Sequence, residues 1–176
     1  ACPWDLAPTT STSLQLALGD ALAVALMEHS GFQPDDFAAN HPAGRLGKML
    51  TWTLASLVDP QRKPSVPWSA PLDHVLKVMS EGRYGATVVV KDGRPETPAG
   101  IITDGDLRRA LAQGSVEGMT AGDLASPAPQ TMKADTLARE AASWMQRQGI
   151  SQVVVVKEEQ YVGMVHLHDC LREGLT

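Results

Sequence analysis

The sequence predicts an α/β fold built from two copies of one helix–strand–strand–helix unit. The first observation is a repeated motif, because residues 100–111 and 163–175 each read as a short apolar strand, a polar turn and a helix start. Both copies keep a glycine, two apolar residues, three intervening positions, an aspartate and a basic residue beyond it. The second observation is that a helical pattern and a β-branched strand precede each motif. One such unit leaves a face of its small sheet uncovered, so two units must pack on each other.

The first copy follows a proline-rich segment, residues 58–71, whose composition is typical of a linker. Apolar spacing predicts its helices, and β-branched runs predict its strands. The predicted elements are a helix at 72–79, a strand at 86–90, a turn at 91–98, a strand at 100–103 and a helix at 106–112.

The second copy repeats this order with a small change of spacing. Its predicted elements are a helix at 137–148, a strand at 152–156, a turn at 157–160, a strand at 161–165 and a helix at 169–173. The sequence alignment places Val88 opposite Val153, 65 residues apart, whereas Asp106 and Asp169 are 63 apart. The difference falls in the strand–strand turn, where changes of length are tolerated.

The segment before the repeats predicts a helix at residues 14–29, ended by Gly31. Hydroxyl residues stand before it as candidate N-caps. Leucine, alanine and valine occupy almost every face of this helix, a pattern typical of a helix buried on several sides. Since no other part of residues 1–50 is large enough to surround it, we expect the helix to pack in a larger domain or against another subunit.

Length, charge and composition limit the classes of partner and compartment to be expected. The chain has 176 residues, enough for one domain or two small ones, and a formal net charge of -5. No basic patch is evident, so a nucleic-acid partner is not expected. Cys2 and Cys170 have no metal-ligand spacing and are predicted to be reduced thiols. No uninterrupted apolar run of about 18 residues and no leader peptide are evident, so we expect a cytoplasmic protein without a membrane span.

Thr103 and Asp106 in the first motif have two interpretations. They form the pattern of a capping box, in which each side chain accepts a hydrogen bond from the other's backbone N–H. The same helix start also offers free N–H groups to a phosphate, and Asp106 could bind the two hydroxyls of a ribose.

The second motif carries His166 in place of the threonine, while Asp169 is kept. A capping box is not expected from a histidine, so we expect two unequal half-sites. A metal site at His166, His168, Asp169 and Cys170 is disfavoured, because the two histidines would need a third ligand from elsewhere. No metal is predicted.

His41 lies in a glycine-punctuated loop, residues 40–48. One interpretation is a histidine that hydrogen-bonds locally. The other is a general acid or base, because imidazole titrates near neutrality.

The repeated motif resembles that of the paired CBS domain, also called a Bateman module. The resemblance covers about residues 54–176 and implies two CBS domains, at 54–115 and 118–176. It also implies that a nucleotide binds in the cleft between the repeats. By motif match, Thr103 and Asp106 would face one half-site of that cleft, and His166 and Asp169 the other.

Residues 7–26 and 36–47 resemble the end of the sugar isomerase (SIS) domain of arabinose 5-phosphate isomerases, in which an SIS domain precedes a CBS pair. The resemblance implies that residues 1–50 are the C-terminal part of an SIS domain. Family enzymes interconvert ribulose 5-phosphate and arabinose 5-phosphate on the route to Kdo in lipopolysaccharide. The isomerisation passes through an enediol and needs an acid and a base but no redox cofactor.

His41 matches the family's catalytic histidine, which lies in a Ser-His-Pro-Gly-Gly motif. Asn40 and Ala43 depart from that motif. The resemblance places the sugar-phosphate loop and the other catalytic residues before Ala1. We therefore expect no isomerase activity from residues 1–176 alone, and no cofactor.

The resulting hypothesis is the regulatory CBS-pair region of an arabinose 5-phosphate isomerase, with a sugar phosphate as substrate of the full-length enzyme. It would bind an AMP-like or ATP-like nucleotide, or a nucleotide sugar such as CMP-Kdo, and assemble as a homodimer or tetramer. The alternative is a stand-alone CBS protein that binds a ligand or promotes oligomerisation.

Overall fold

Three helices begin the chain. The computed structural model describes residues 2, 4, 6–42 and 44–176. The helices are α1 (Thr10–Ser30), α2 (Pro34–Asn40) and α3 (Arg45–Thr51), and a short 3-10 turn follows at Leu54–Ser56. Helix α1 ends at Gly31, whose left-handed backbone (φ 67°) turns the chain away.

The first repeat forms a four-stranded sheet in the order β1-β2-β3-β4. Its elements are β1 (Ser65–Pro67), α4 (Leu72–Gly82), β2 (Ala86–Lys91), β3 (Arg94–Thr103), α5 (Asp104–Gln113), α6 (Ala121–Leu124) and β4 (Ser126–Pro127). Strand β1 runs parallel to β2, and the other two pairings are antiparallel.

The second repeat forms a three-stranded sheet in the order β5-β6-β7. Its elements are β5 (Thr131–Lys133), α7 (Ala138–Gln148), β6 (Gln152–Lys157), β7 (Gln160–His166) and α8 (Leu167–Arg172). The predicted helix–strand–strand–helix units are confirmed. Strands β1 and β5 were not predicted, because runs of three residues carry almost no periodicity.

The predicted spacing of the repeats was wrong by one residue. Val88 pairs with Ser65 as Val154 pairs with Thr131, so the helices and first strands repeat at 66 residues rather than 65. The motif aspartates stay 63 apart, and the hairpin therefore absorbs three residues. A one-residue error was easy to make, because Val153 and Val154 are both buried valines in the same run.

The two sheets pack face to face through one shared core. Valines of β2 and β6 meet there with Met164 and two buried tyrosines, Tyr84 and Tyr161. On its other face each sheet packs against its own helices, with Val75 and Met79 of α4 in the first repeat and Ala141 and Met145 of α7 in the second. The predicted packing of one unit on the other is therefore confirmed.

The segment before the first repeat packs into the second one. Leu54 is fully buried in the core beside α7. The backbone N–H of Leu54 donates to the Thr136 carbonyl (2.9 Å), and the N–H of Ala138 donates to the Trp52 carbonyl (2.8 Å). The second repeat thus depends on residues that precede the first.

Helix α1 makes no buried contact in the structure. Every one of its residues is exposed, including Leu14, Leu18, Leu22 and Leu26. By length and composition alone α1 also passes as a candidate membrane span, contrary to the sequence-based expectation that the chain has none. A core helix of a larger soluble domain passes the same test, and this agrees with the expectation that something else covers α1.

We predict that Leu54→Ala lowers the free energy of unfolding by about 2–5 kcal/mol, because it leaves a cavity in the core of the second repeat. Urea denaturation followed by circular dichroism measures the change. Leu171→Ala, at a half-exposed leucine of α8, is the matched control and should cost less than about 1.5 kcal/mol. Equal losses in the two variants would contradict the packing role of Leu54.

Candidate functional site

An open cleft of about 430 Å³ lies between the two repeats. It forms where β2 and β6 begin and where β3 and β7 end, so both motifs reach it. The first repeat contributes Arg83, Tyr84, Gly85, Thr103, Asp104, Gly105 and Arg108, and the second contributes Ser151, Gln152 and His166. Cavities of about 580 and 590 Å³ lie elsewhere, but none of the four predicted ligand-binding residues lines them. We therefore base the candidate site on the smaller cleft.

Thr103 and Asp106 form the predicted capping box at the start of α5. The Asp106 carboxylate accepts hydrogen bonds from the backbone N–H of Thr103 (2.8 Å) and from its hydroxyl (2.6 Å). The Thr103 hydroxyl in turn accepts from the Asp106 N–H (3.3 Å). Both interactions satisfy backbone N–H groups at the junction of strand and helix.

Further donors occupy the rest of the Asp106 carboxylate. The Ser126 hydroxyl donates to it (3.0 Å), and the Arg109 guanidinium forms an ion pair with it. Burial disfavours the charged form, but the hydrogen bonds from Thr103, Ser126 and Arg109 outweigh it and lower the pKa of Asp106 below its usual range. The side chain is only 8% exposed and does not line the cleft. The exposed carboxylate that lines the cleft is Asp104.

His166 caps α8, contrary to the sequence-based expectation. Its Nδ1 accepts a hydrogen bond from the backbone N–H of His168 (3.0 Å), and the backbone N–H of His166 donates to the Asp169 carboxylate (3.1 Å). An imidazole can replace a hydroxyl here because its unprotonated nitrogen is an acceptor. The two motifs therefore share one capping arrangement, although their side chains differ.

The environment of His166 favours the neutral imidazole. Burial and the neighbouring His168 lower the pKa of His166, and the charge of Asp169 only partly opposes them. The His166 and His168 rings stack with their centroids 5.0 Å apart. His166 therefore adds a hydrogen-bonding group to the cleft but no positive charge at neutral pH.

Asp169 repeats the arrangement of Asp106 with fewer partners. Its carboxylate forms an ion pair with Arg172 (3.1 Å), three residues later in α8. The side chain is 16% exposed and, like Asp106, does not line the cleft. Of the four predicted ligand-binding residues, the structure brings Thr103 and His166 together at the cleft and places both aspartates behind them.

His41 lies far along the sequence from this cleft, in the loop after α2. It is exposed, and its ring contacts that of Phe37 at a centroid distance of 5.0 Å. Its backbone carbonyl accepts a hydrogen bond from the N–H of Gly44 (3.2 Å). Ala43, which departs from the expected motif, lies outside the described residues. The catalytic role of His41 stays a prediction.

Sequence reasoning missed the charged residues of the cleft. The motif could not identify Arg83, because this residue lies outside it, at the end of α4. Its backbone there is left-handed (φ 56°). The second repeat has Gly149 at that position (φ 66°), so the correct spacing of 66 residues would have shown an arginine where glycine is favoured. Arg108 and Asp104 lie within the first motif but have no charged counterparts in the second.

The CBS domain family profile matches the chain twice, at residues 60–113 and 121–175. Curated relatives extend over nearly the whole chain. Arabinose 5-phosphate isomerase KdsD of Pseudomonas aeruginosa is 40% identical over 99% of the chain, and KdsD of Escherichia coli K12 is 38% identical over 100%. The chain spans about half the length of these relatives, 54% in each case. The predicted resemblance to this isomerase family is confirmed.

Solved structures show the same fold. A CBS domain protein of Pyrobaculum aerophilum, complexed with AMP, is 27% identical with a TM-score of 0.60, over 67% of this chain and 89% of that one. The CBS domain of a bacterial CNNM/CorC Mg2+ transporter in complex with ATP has a TM-score of 0.62 at 19% identity, over 74% of this chain and 92% of that one. The latter likeness concerns the fold alone. The predicted tandem CBS architecture is confirmed.

The lowered pKa of His166 predicts a pH-dependent stability. Unfolded histidine titrates near pH 6.5, and folded His166 titrates below that. The unfolded state then binds more protons between the two values, so stabilisation present above about pH 6.5 is lost as the pH falls through the folded pKa. Protonation of Nδ1 would also break its hydrogen bond to His168.

We expect His166→Asn, whose amide oxygen still accepts, to lose less stability than the wild type between about pH 7.5 and pH 5.5. Urea midpoints at both pH values measure this difference. His74→Asn, at an exposed position of α4, should retain the wild-type pH dependence. The interpretation fails if the His166 and His74 variants respond alike.

We predict that Asp106→Ala lowers the free energy of unfolding by about 1–3 kcal/mol, because it removes the cap and leaves buried donors without a partner. Asp104→Ala, two residues away at an exposed position, should cost less than about 1 kcal/mol. Thermal and urea unfolding distinguish the two. A larger loss for Asp104→Ala would show that Asp106 is not the main support of this turn.

Proposed function

The chain belongs to the CBS domain family, and from that premise we propose that it is the ligand-sensing region of an arabinose 5-phosphate isomerase. Support comes from the curated isomerases, which match nearly the whole chain and therefore also the segment before the two CBS repeats. In this proposal residues 1–50 are part of a sugar isomerase domain, and the CBS domains span 54–115 and 118–176. The full-length enzyme would be cytoplasmic and would act on ribulose 5-phosphate in Kdo synthesis.

The cleft between the repeats is the proposed sensor, and a nucleotide or nucleotide sugar is its proposed ligand. The observation that carries this proposal is the set of groups in one cleft: two guanidinium groups (Arg83 and Arg108), the exposed carboxylate of Asp104 and the hydroxyl of Thr103. Guanidinium groups suit phosphate oxygens, and a carboxylate suits sugar hydroxyls. The Pyrobaculum relative, which was solved with AMP, supports the same ligand class.

Tyr84 offers a physical route from the cleft to the preceding segment. This buried tyrosine lines the cleft, and the Arg62 guanidinium lies 4.6 Å from the centre of its ring. Arg62 also donates two hydrogen bonds to the Gly82 carbonyl, at 2.9 and 3.3 Å. A ligand that moves Tyr84 therefore acts directly on the linker that leads back to the buried Leu54.

Tyr161 holds the same linker at a second point. Its hydroxyl donates to the Pro64 carbonyl (3.1 Å), and Lys63 lies 5.2 Å from the centre of its ring. Tyr84 and Tyr161 belong to the core shared by the two sheets. The linker is thus held from both repeats, which suits a segment that transmits a change in their relative position.

The isomerase chemistry would involve His41 as a general acid or base for the enediol step. Its exposed ring leaves room for further groups around it, and we propose that residues 1–176 alone do not isomerise the sugar phosphate. In the full-length enzyme, α1 would lie within the sugar isomerase domain or against another subunit of a homodimer or tetramer. The exposed apolar faces of α1 favour this arrangement over a stand-alone CBS protein, in which they would remain in water.

Calorimetry with AMP, ATP and CMP-Kdo tests the sensor. We expect at least one of them to bind, and a concentration of 100 times its Kd should stabilise the protein by about 2.7 kcal/mol. Binding should also slow hydrogen exchange in residues 52–64. Arg62→Leu should keep the affinity within about threefold but weaken this protection, whereas Arg94→Leu, in the exposed hairpin, should change neither. Absence of binding by all three compounds would refute the sensor.

A further inference from the structure

We propose that the cleft binds one phosphorylated ligand in a single orientation. The phosphate lies against Arg83 and Arg108 of the first repeat, and the uncharged ring lies against Gln152 and His166 of the second. This inference rests on the proposed function, because it specifies how the proposed nucleotide sits. It also explains how two similar repeats can form one site instead of two equal ones.

The positive charges of the cleft all come from the first repeat. Arg83 and Arg108 are both exposed, and neither forms an ion pair with an acidic side chain among the described residues. Arg108 donates from Nε to the Asp104 backbone carbonyl (3.2 Å), which holds the guanidinium near the helix start and leaves its terminal amino groups without a partner in the described part of the chain. Two such groups provide the forked donors that bind phosphate oxygens.

The second repeat replaces both arginines with residues that carry no charge. At a spacing of 66 residues the counterpart of Arg83 is Gly149, and at 63 residues the counterpart of Arg108 is Leu171. His166 is held neutral on this side because its Nδ1 accepts a backbone hydrogen bond. A ligand turned end for end would therefore place its phosphate beside a wall with no cation.

The backbone at Arg83 provides independent support. A left-handed conformation is unfavourable for a residue with a side chain, and the equivalent turn after α7 avoids that strain with Gly149. Arg83 keeps nearly the same conformation (φ 56°, ψ 28°) as Gly149 (φ 66°, ψ 28°). Its side chain lines the cleft, which accounts for an arginine where glycine would be more stable.

Asp104 is the acidic group in the same cleft, and it restricts where the phosphate can lie. The Asp104 carboxylate lies over the turn at Gly85, because a Cβ built on that glycine would be only 3.0 Å from Oδ2 of Asp104. Like charges repel, so the phosphate must lie on the arginine side of this carboxylate. The sugar hydroxyls between phosphate and ring can then donate to Asp104.

Calorimetry with AMP and adenosine on the whole chain tests this orientation. We expect the wild type to bind AMP at least about tenfold more tightly than adenosine, because only AMP carries the phosphate. Arg83→Gly and Arg108→Gln should each weaken AMP binding by about 5- to 20-fold and leave adenosine binding unchanged. Arg94→Gln, in the exposed hairpin, is the control and should alter neither affinity.

Arg83→Gly separates binding from folding, because it copies the residue that the second repeat already uses. It should unfold at the same temperature as the wild type or at a higher one, while its preference for AMP falls. If AMP binds to the wild type and every variant keeps the wild-type preference for AMP over adenosine, the orientation is refuted while the nucleotide sensor stands.

A different result addresses the proposed function. Should neither AMP nor adenosine bind to the wild type, and ATP and CMP-Kdo fail as well, the nucleotide proposal fails, and pyrophosphate then tests the anion site by its 31P line width. Broadening by the wild type that disappears in the Arg83→Gly/Arg108→Gln double variant supports the arginine site. No broadening, or equal broadening by both proteins, overturns it.

Discussion

One carboxylate in each repeat fixes the turn from the last strand into the last helix. Asp106 and Asp169 accept the backbone N–H of the residue that begins the turn, and each pairs with an arginine three positions later. Buried N–H groups at a helix start are costly without a partner, so this interaction sets where the helix begins. The position of the helix start in turn determines which side chains face the cleft. The aspartates thus determine the shape of the cleft without lining it.

The cleft is unequal because this common framework carries different side chains in the two repeats. Thr103 and His166 both cap their helices and both line the cleft, yet the neighbouring arginines and Asp104 belong to the first repeat alone. The two repeats form two similar sides of the cleft. The chemical difference between them follows from a few substitutions beside the shared caps, at Arg83, Asp104 and Arg108.

Much of the fold could be predicted from the sequence, because periodicity and a repeated motif carry enough information. The strands β1 and β5 could not, since three residues are too few to show a period. The cap formed by His166 was missed because capping rules consider hydroxyls and carboxylates, whereas the imidazole nitrogen accepts equally well in its neutral form.

The charged residues of the cleft were missed for a different reason. A motif identifies residues within one repeat, whereas a cleft depends on how two repeats face each other. Arg83 belongs to the site only because β2 and β6 begin at the same end of the packed sheets. Asp106 illustrates the converse, since its place in the motif suggested a ligand contact and the structure surrounds its carboxylate with four protein donors.

The contacts between α3 and the segment after α8 affect the order in which the protein can fold. Arg45 donates to the carbonyls of Gly174 and Thr176, and Lys48 pairs with Glu173, across separations of 125 to 131 residues. Leu54 is also buried in the core of the second repeat. The segments before and after the first repeat are therefore held together in space. During synthesis, the apolar residues of α3 stay uncovered until the second repeat has left the ribosome. Contacts of such long range slow folding, so the interval before closure is the period in which the nascent chain is most exposed to aggregation.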